Sequence, residues 1–300
     1  MKVFLTGSTG FVGKHMIRRL LAENHAVRAL VRVLPGQRTR LLQAFHREGD
    51  FQYVFGDVVS GRGLYEALSG CDAVIHLVGI IAEKGSNTFG AVHHVGTRNV
   101  VEAAKRAGIK RFVHMSALGV RADGVAEYQR SKWKGEEIVR NCGIPHCILR
   151  PSLIFGPGDG FVTEMISMMK QAPLVRPVPG NGSPQFRPVS IDDVTFCFSR
   201  ALVEEAATDQ TIELGGADEL TLNEVLSEVA KCAGVRKPPV HVPMPLMFFV
   251  AALASLLPNP PVTADQLRML REGSTCDIGP MKRIFGIDPR GFQGCGRSQG

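Results

Sequence analysis

The chain has 300 residues, 44% of them hydrophobic and 21% charged, a balance that excludes a disordered or fibrous protein and allows one large domain or a domain with an added lobe. The formal net charge is +7, but the basic residues are spread out, and the densest cluster, Arg28 to Arg47, has no interleaved aromatic ladder, so no nucleic-acid partner is expected. The seven cysteines include no C-x-x-C pair, so the reading is reduced thiols in a reducing compartment, with no disulfide framework and no metal site.

In chain order, short apolar runs alternate with helical spacing. Strands are expected over 3–6, 26–31, 52–55, 73–78, 111–115 and 146–150. Helices are expected over 11–23, 38–48, 64–69, 89–107 and 127–142. Apolar strands separated by amphipathic helices imply a parallel sheet covered on both faces, and right-handed crossovers make it doubly wound. The fold class is therefore α/β, a doubly wound parallel sheet of the Rossmann kind with a smaller C-terminal lobe. After Pro151, Pro and Gly become frequent. Residues 1–156 are read as the sheet domain, completed by about 186–208, with a strand over 186–191 and a helix over 192–204. Residues 157–185 and 209–290 are read as the lobe, and 291–300 as a flexible tail. The sequence opens on a strand, so no leader peptide is expected ahead of it. The apolar segment 246–257 is too short for the roughly 20 residues of a spanning helix. It reads as a buried helix or, alternatively, as one lying on a membrane or partner surface. The expected location is cytoplasmic, with peripheral contact at the inner face of a membrane as the alternative.

Residues 6–13 read Thr-Gly-Ser-Thr-Gly-Phe-Val-Gly, between the first strand and the first helix. This G-x-x-G-x-x-G spacing is a dinucleotide loop. Gly7 permits the tight turn, Gly10 lets the backbone approach a pyrophosphate, and Gly13 lets helix and strand pack closely. Thr9, Phe11 and Val12 complete the loop, and the helix start offers free N–H groups to an anion. The second strand ends in Arg32, where an NAD-selective site places a carboxylate, and Arg38 and Arg40 follow. A guanidinium suits a 2′-phosphate. NADP(H) is therefore the expected cofactor and NAD(H) the second choice, with Arg32 and Arg38 as contacts. Asp57 and Val58 follow the third strand, where Asp57 could accept from an adenine amino group or simply cap a turn. Leu77, Val78 and Gly79 end the fourth strand, and Gly79 allows close backbone approach.

Tyr128-Gln-Arg-Ser-Lys132 places a phenol and an ammonium one turn apart on one helix face. A nearby cation should lower the phenol pKa and let Tyr128 exchange a proton with a substrate oxygen, while Lys132 holds a ribose. With these residues identified, the chain resembles the extended short-chain dehydrogenase/reductase superfamily over nearly its whole length. The matching pieces are TGSTGFVG, Asp57-Val58, Gly96-Thr97-Arg-Asn-Val, RFVHMSALG, YQRSK, RPSLIFGPGD and Asp192-Asp193-Val. Within it the chain looks most like the atypical branch that includes the NADPH-binding accessory subunit of respiratory complex I, on Ser116-Ala-Leu-Gly119 and the Pro-rich lobe with VPMPLMFF. The resemblance implies Tyr128, Lys132 and Ser116 as the catalytic set, and adds Pro151 and Ile154 to the cofactor contacts. Two positions depart from the superfamily pattern. Ala117 stands where catalytic members carry a polarising Ser or Thr, and Ser116, one residue early, faces the other way on a strand. His93 replaces the superfamily's helix Asn, and His93 and His94 read as packing or surface residues.

Three functions follow as expectations. The first is an NADP(H)-dependent oxidoreductase acting on a small molecule that the sequence does not name. The second is a non-catalytic NADPH-binding subunit or assembly factor of a respiratory NADH dehydrogenase complex, docked through the C-terminal lobe. The third is a nucleotide-sugar epimerase or dehydratase, whose diphosphate Arg176 and Arg187 could hold, although both read equally as surface charges. Apolar lobe residues Phe155, Phe161, Met165, Met168 and Met169 lean away from a sugar. No pattern sets the oligomeric state.

Overall fold

Seven short apolar runs pair side by side in a single parallel sheet in the computed structural model, which describes residues 1–32, 50–172, 174–256, 260 and 262–294. In chain order the first half comprises β1 (Lys2–Thr6), α1 (Phe11–Ala22), β2 (Ala26–Val31), β3 (Phe51–Phe55), α2 (Leu64–Leu68) and β4 (Ala73–His76). A π-helical turn, Gly90–Val95, then runs directly into α3 (Gly96–Arg106), followed by β5 (Arg111–Met115), α4 (Glu127–Arg140) and β6 (His146–Pro151). The second half comprises β7 (Ile154–Phe155), α5 (Gly160–Gln171), β8 (Arg176–Pro179), β9 (Gln185–Phe186), β10 (Val189–Ser190) and α6 (Ile191–Arg200). It continues with β11 (Gln210–Leu214), β12 (Leu220–Thr221), α7 (Leu222–Cys232), β13 (Pro239–Val242), α8 (Met244–Ala254), α9 (Ala264–Glu272) and α10 (Gly279–Phe285).

The large sheet has the order β11-β6-β5-β4-β1-β2-β3. Chain direction across it reverses between β1 and β4, so the loops after these strands flank a crevice at their carboxyl ends. The strands are apolar on both faces because helices cover both. Met16, Ile17 and Leu20 of α1 pack with Val194 and Phe198 of α6 over one face. Val100, Val101 and Ala104 of α3 and Val139 of α4 cover Phe4, Val74 and Phe112 on the other. Fully burying each such side chain stabilises the fold by roughly 1.5–3 kcal/mol before entropy is counted. Helix α4 is also fixed by charge: Glu136, fully buried, accepts from Arg150 Nε at 2.8 Å and Nη2 at 2.7 Å and pairs with Arg140.

The lobe has its own apolar centre, in which Val162, Met165 and Met169 of α5 meet Leu222, Leu226 and Val229 of α7. The structure moves its expected boundary. Gln210–Leu214 pairs in parallel with β6 as the sheet's edge strand, and Met281 and Phe285 of α10 join the sheet's core, so these parts of 209–290 belong to the sheet. The expected tail is anchored at its start: Phe292 donates its N–H to Asp218 at 2.8 Å and packs edge-to-face on Phe155 at 5.0 Å. The expected helix over 38–48 lies outside the described residues. Cys71, Cys142, Cys147, Cys197 and Cys276 are free, but Cys232 is disulfide-bonded, which corrects the all-thiol reading at that position.

The buried-helix reading of 246–257 is also corrected. In α8 only Ala251 is buried, while Leu246, Phe249, Val250 and Leu253 are exposed. No helix among the described residues is long and apolar enough to cross a membrane.

Candidate active site

The crevice begins with the glycines. Gly7 has φ +71°, and a Cβ there would lie 2.9 Å from the Leu77 carbonyl carbon, so only glycine lets the loops after β1 and β4 touch. At Gly13 a Cβ would sit 2.2 Å from Gly7 O and 2.7 Å from Ser8 Cα. Helix α1 starts at Gly10 with no side-chain cap and no acidic residue in its first turn, so its leading N–H dipoles face outward at full strength. Phe11 is half-buried, Val12 is buried, and Thr9 is half-buried in the loop. Ser8 donates to Leu30 O at 2.7 Å and ties the loop to β2. Arg32, the next residue after β2, is exposed and donates to Asn87 Oδ1 at 2.9 Å. Arg38 lies outside the described residues. Asp57 takes the bland option at one oxygen, Oδ1 accepting from Ser60 N–H at 2.8 Å in a turn, and Val58 is buried beneath it.

Tyr128, Lys132 and Glu136 follow one another at i, i+4 and i+8 on α4. With Glu136 held by Arg150, the face carrying Lys132 is pressed against the sheet, and Lys132 is 2% exposed. Its Nζ donates to Met115 O at 2.8 Å. A Cβ on Gly79 would come 3.0 Å from that Nζ and 3.5 Å from His93 Nε2, so Gly79 leaves the end of β4 open onto the ammonium. Leu77 is buried and Val78 half-buried just before it. Burial lowers the Lys132 ammonium to about 8, against the opposing pull of Glu136. Burial pushes the Tyr128 phenol up to about 12, the reverse of the lowering expected from its sequence neighbour: desolvation dominates, and the ammonium's hydrogen bond goes to the strand carbonyl.

His93 was read as a packing residue. It is packed, but against the site. Its ring lies 5.5 Å from that of Tyr128 and stacks on Phe89 at 5.6 Å. Nε2 accepts from Ile80 N–H at 3.0 Å, which leaves the proton on Nδ1 to donate to Ser131 Oγ at 2.9 Å. Ser131 in turn donates to Tyr128 O at 2.8 Å. Burial and the adjacent Lys132 depress His93 to about 2, so this chain holds a neutral imidazole. His94 is half-buried and outside this chain of bonds.

A second neutral histidine lies deeper. Thr97 Oγ1 donates to His93 O, so it accepts from His76 Nε2 at 3.2 Å, and His76 Nδ1 then accepts from Thr6 Oγ1 at 2.7 Å. Burial, reinforced by Lys132, lowers His76 to about 3. His114 stacks on His76 at 5.4 Å, and neither of its ring nitrogens has a hydrogen-bond partner among the described residues. The Ser116 hydroxyl is likewise buried and unpartnered among them, while Ala117 is half-buried. Ser116 is thus closed off from solvent, and Pro151 and half-buried Ile154 follow on β6 and β7. Sequence reasoning gave no site role to His93, Ser131, His76 or Thr97. Ser131 sits inside the Y-x-x-x-K motif, and that neighbourhood was its one signal.

Residues 3–215 match the model of the NAD-dependent epimerase/dehydratase family. The chain belongs to that family. Among its relatives is the ceramide reductase of Caulobacter vibrioides, 30% identical over 86% of this chain and 80% of that protein. The mitochondrial NADH-ubiquinone oxidoreductase 40 kDa subunit of Neurospora crassa is 25% identical over 94% of this chain and 74% of its own length. In fold, the family member resembles UDP-glucuronic acid 4-epimerase from Bacillus cereus, solved with UDP-glucuronic acid and NAD. The TM-score is 0.75 at 21% identity, over 99% of this chain and 96% of that one. The dinucleotide expectation agrees with the family, and the open glycine turn and uncapped α1 start are shaped to accept such a group.

Proposed function

We propose that this chain is an NADP(H)-dependent oxidoreductase that interconverts a carbonyl and a hydroxyl on an apolar small molecule. The observation that carries this reading is Lys132, buried at the open end of β4 beside Gly79 and one helical turn from Tyr128. Gly7, Thr9, Gly10, Phe11, Val12 and Gly13 would hold the pyrophosphate, and Arg32, with Arg38, the 2′-phosphate. Asp57 and Val58 would flank the adenine, Leu77, Val78 and Gly79 the crevice floor, Lys132 and Tyr128 the nicotinamide ribose, and Pro151 and Ile154 the nicotinamide. The cofactor supplies a hydride when bound. Tyr128, with its phenol at about 12, keeps its proton at neutral pH and is set to donate it to a carbonyl oxygen during reduction; solvent then restores that proton. Ala117 offers no second donor and Ser116 is closed off, so one stabilising contact to the developing oxyanion is missing.

The lobe favours an apolar substrate. Arg176 is buried, with Nη1 donating to Leu226 O at 2.7 Å and Nε without a partner among the described residues, and Arg187 is paired with Glu219 at 3.0 Å, so neither guanidinium that could serve a nucleotide-sugar diphosphate is freely presented. A relative named as a ceramide reductase supports the same direction. The test is NADPH oxidation by the purified protein with long-chain ketones and with UDP-sugars side by side. The reading expects slow, Tyr128-dependent turnover of ketones and none of UDP-sugars.

A second reading, a nucleotide-binding subunit of a respiratory NADH dehydrogenase complex, draws support from Ala117 and from relatives named as complex I subunits. It expects bound NADPH, no turnover with any carbonyl, and co-purification with the membrane complex.

A further inference from the structure

We infer that α8 and α9 form a membrane-docking element, in which α8 lays an apolar stripe into an anionic lipid surface. This stands apart from the redox reading and needs no turnover to test. Between Met244 and Ala254 there is no charged side chain, and the exposed residues Leu246, Phe249, Val250 and Leu253 recur at i, i+3, i+4 and i+7. That spacing gathers them on one face. They are 50%, 61%, 45% and 54% exposed, large aliphatic and aromatic groups in a row where a soluble surface usually carries them singly. Val240, 44% exposed on the preceding strand, adds to the patch's chemistry.

The sequence leading into the stripe is basic: from Val229 to Ala264 there is no Asp or Glu, while Lys231, Arg236 and Lys237 fall in that span. Lys231 pairs with Glu228 at 2.7 Å and Lys237 donates to the carbonyls of Met169 and Lys170, so Arg236 is the exposed cation of the three with no such partner among the described residues. Helix α9, which packs on α8, carries two acids and two arginines, and its acids are turned to the sheet domain. Asp265 accepts from the N–H groups of Glu127 (2.9 Å) and Tyr128 (3.4 Å), and Glu272 accepts from Gln129 at 2.6 Å and pairs with Arg121 at 2.5 Å. Arg268 is exposed but pairs with Asp265 at 2.7 Å, whereas Arg271, like Arg236, is exposed with no ion-pair partner among the described residues.

An exposed apolar stripe accompanied by the exposed Arg236 and Arg271 complements an anionic bilayer. A second copy of the chain would bring like charge against like charge. Protein interfaces also fix their register with about one hydrogen bond per 100–200 Å², and the stripe has no polar side chain to supply one. A lipid surface needs no register.

The test is sedimentation of the full chain with phosphatidylcholine vesicles, with and without phosphatidylglycerol. Wild-type protein is expected to pellet with the anionic vesicles and to be released by high salt. Phe249→Glu with Leu253→Glu should weaken partitioning about tenfold or more while NADPH binding, read by fluorescence, stays unchanged. Arg236→Glu with Arg271→Glu should weaken it by a similar factor and flatten the salt dependence. Wild-type protein that stays in the supernatant with every vesicle overturns the inference. So does an apolar-face variant that pellets as well as wild type. Light scattering that shows a dimer dispersed by the same variant assigns the stripe to a second copy instead.

Discussion

Acidification from about pH 7.5 to about pH 5.5 should destabilise the fold through His76, His93 and His114. All three are buried, and burial holds each far below the ordinary histidine value of 6.5, to about 3 for His76 and about 2 for His93, with His114 well below as well. The sign follows from proton linkage. Below 6.5 the unfolded chain binds protons that the folded chain cannot, so the stabilisation is complete above 6.5 and is lost as the pH falls toward the folded values. At one unit below 6.5 each group costs RT ln(1 + 10), or about 1.4 kcal/mol, and this does not depend on how low the folded value lies. Three groups give about 4 kcal/mol, a large part of the roughly 5–15 kcal/mol by which domains are stable. Urea denaturation followed by circular dichroism at the two pH values measures the difference. His114→Phe is the decisive variant, because both ring nitrogens lack partners among the described residues. It should remove about a third of the pH dependence and raise stability at neutral pH, by relieving buried unpaired polar atoms worth roughly 1–3 kcal/mol. Unchanged stability between the two pH values, or an unchanged slope in His114→Phe, refutes the reasoning.

Arg32→Asp should weaken NADPH roughly 10- to 100-fold and improve NADH, read by fluorescence titration; equal affinities of the unaltered protein for the two cofactors would remove its basis. Gly13→Ala forces a methyl to within 2.2 Å of Gly7 O, so it should abolish dinucleotide binding and lower stability by about 1–3 kcal/mol in a thermal melt. Tyr128→Phe should cut any ketone reduction by about 10²–10⁴, while Ala117→Ser should raise it toward the roughly 10²–10³ that one oxyanion donor supplies; steady-state rates decide both. NADPH affinity should fall as pH rises through about 8, where Lys132 loses its charge, while this group's contribution to the stability of the cofactor-free fold rises over the same range, because the unfolded lysine still binds its proton. Calorimetric titration across that range checks the first part, and urea denaturation checks the second.

Much of the sheet was legible because its strands are short apolar runs between clear breakers. The expected strands over 26–31 and 111–115 agree with β2 and β5 residue for residue. The glycine loop was legible because its spacing reflects backbone contacts, such as Gly13 against Gly7 O, that no other residue tolerates. His93 was not, for a geometrical reason. The expected helix over 89–107 assumed one regular period, but its first part is π-helical over Gly90–Val95, which adds a residue to the turn and changes which side chains share a face. The pKa direction at Tyr128 was missed because sequence shows a neighbouring cation but not the carbonyl of Met115 that engages it. The exposure of α8 was hidden because a short helix apolar on every side reads the same whether it lies in a core or on a surface. The lobe boundary failed at 210–214, where a strand far along the chain returns to complete the sheet.

The central claim is that half-buried Tyr128, with buried Lys132 one turn away, reduces an apolar carbonyl with NADPH. Its most direct test is a single-turnover experiment in which the protein is loaded with NADPH and mixed with a long-chain ketone, and the loss of reduced-nicotinamide absorbance is followed in stopped flow for wild type and Tyr128→Phe. The account predicts a slow decay in wild type that is absent in the variant, with no decay when a UDP-sugar replaces the ketone. Stable absorbance with every ketone, or rapid interconversion of a UDP-sugar by the unaltered protein, would contradict it.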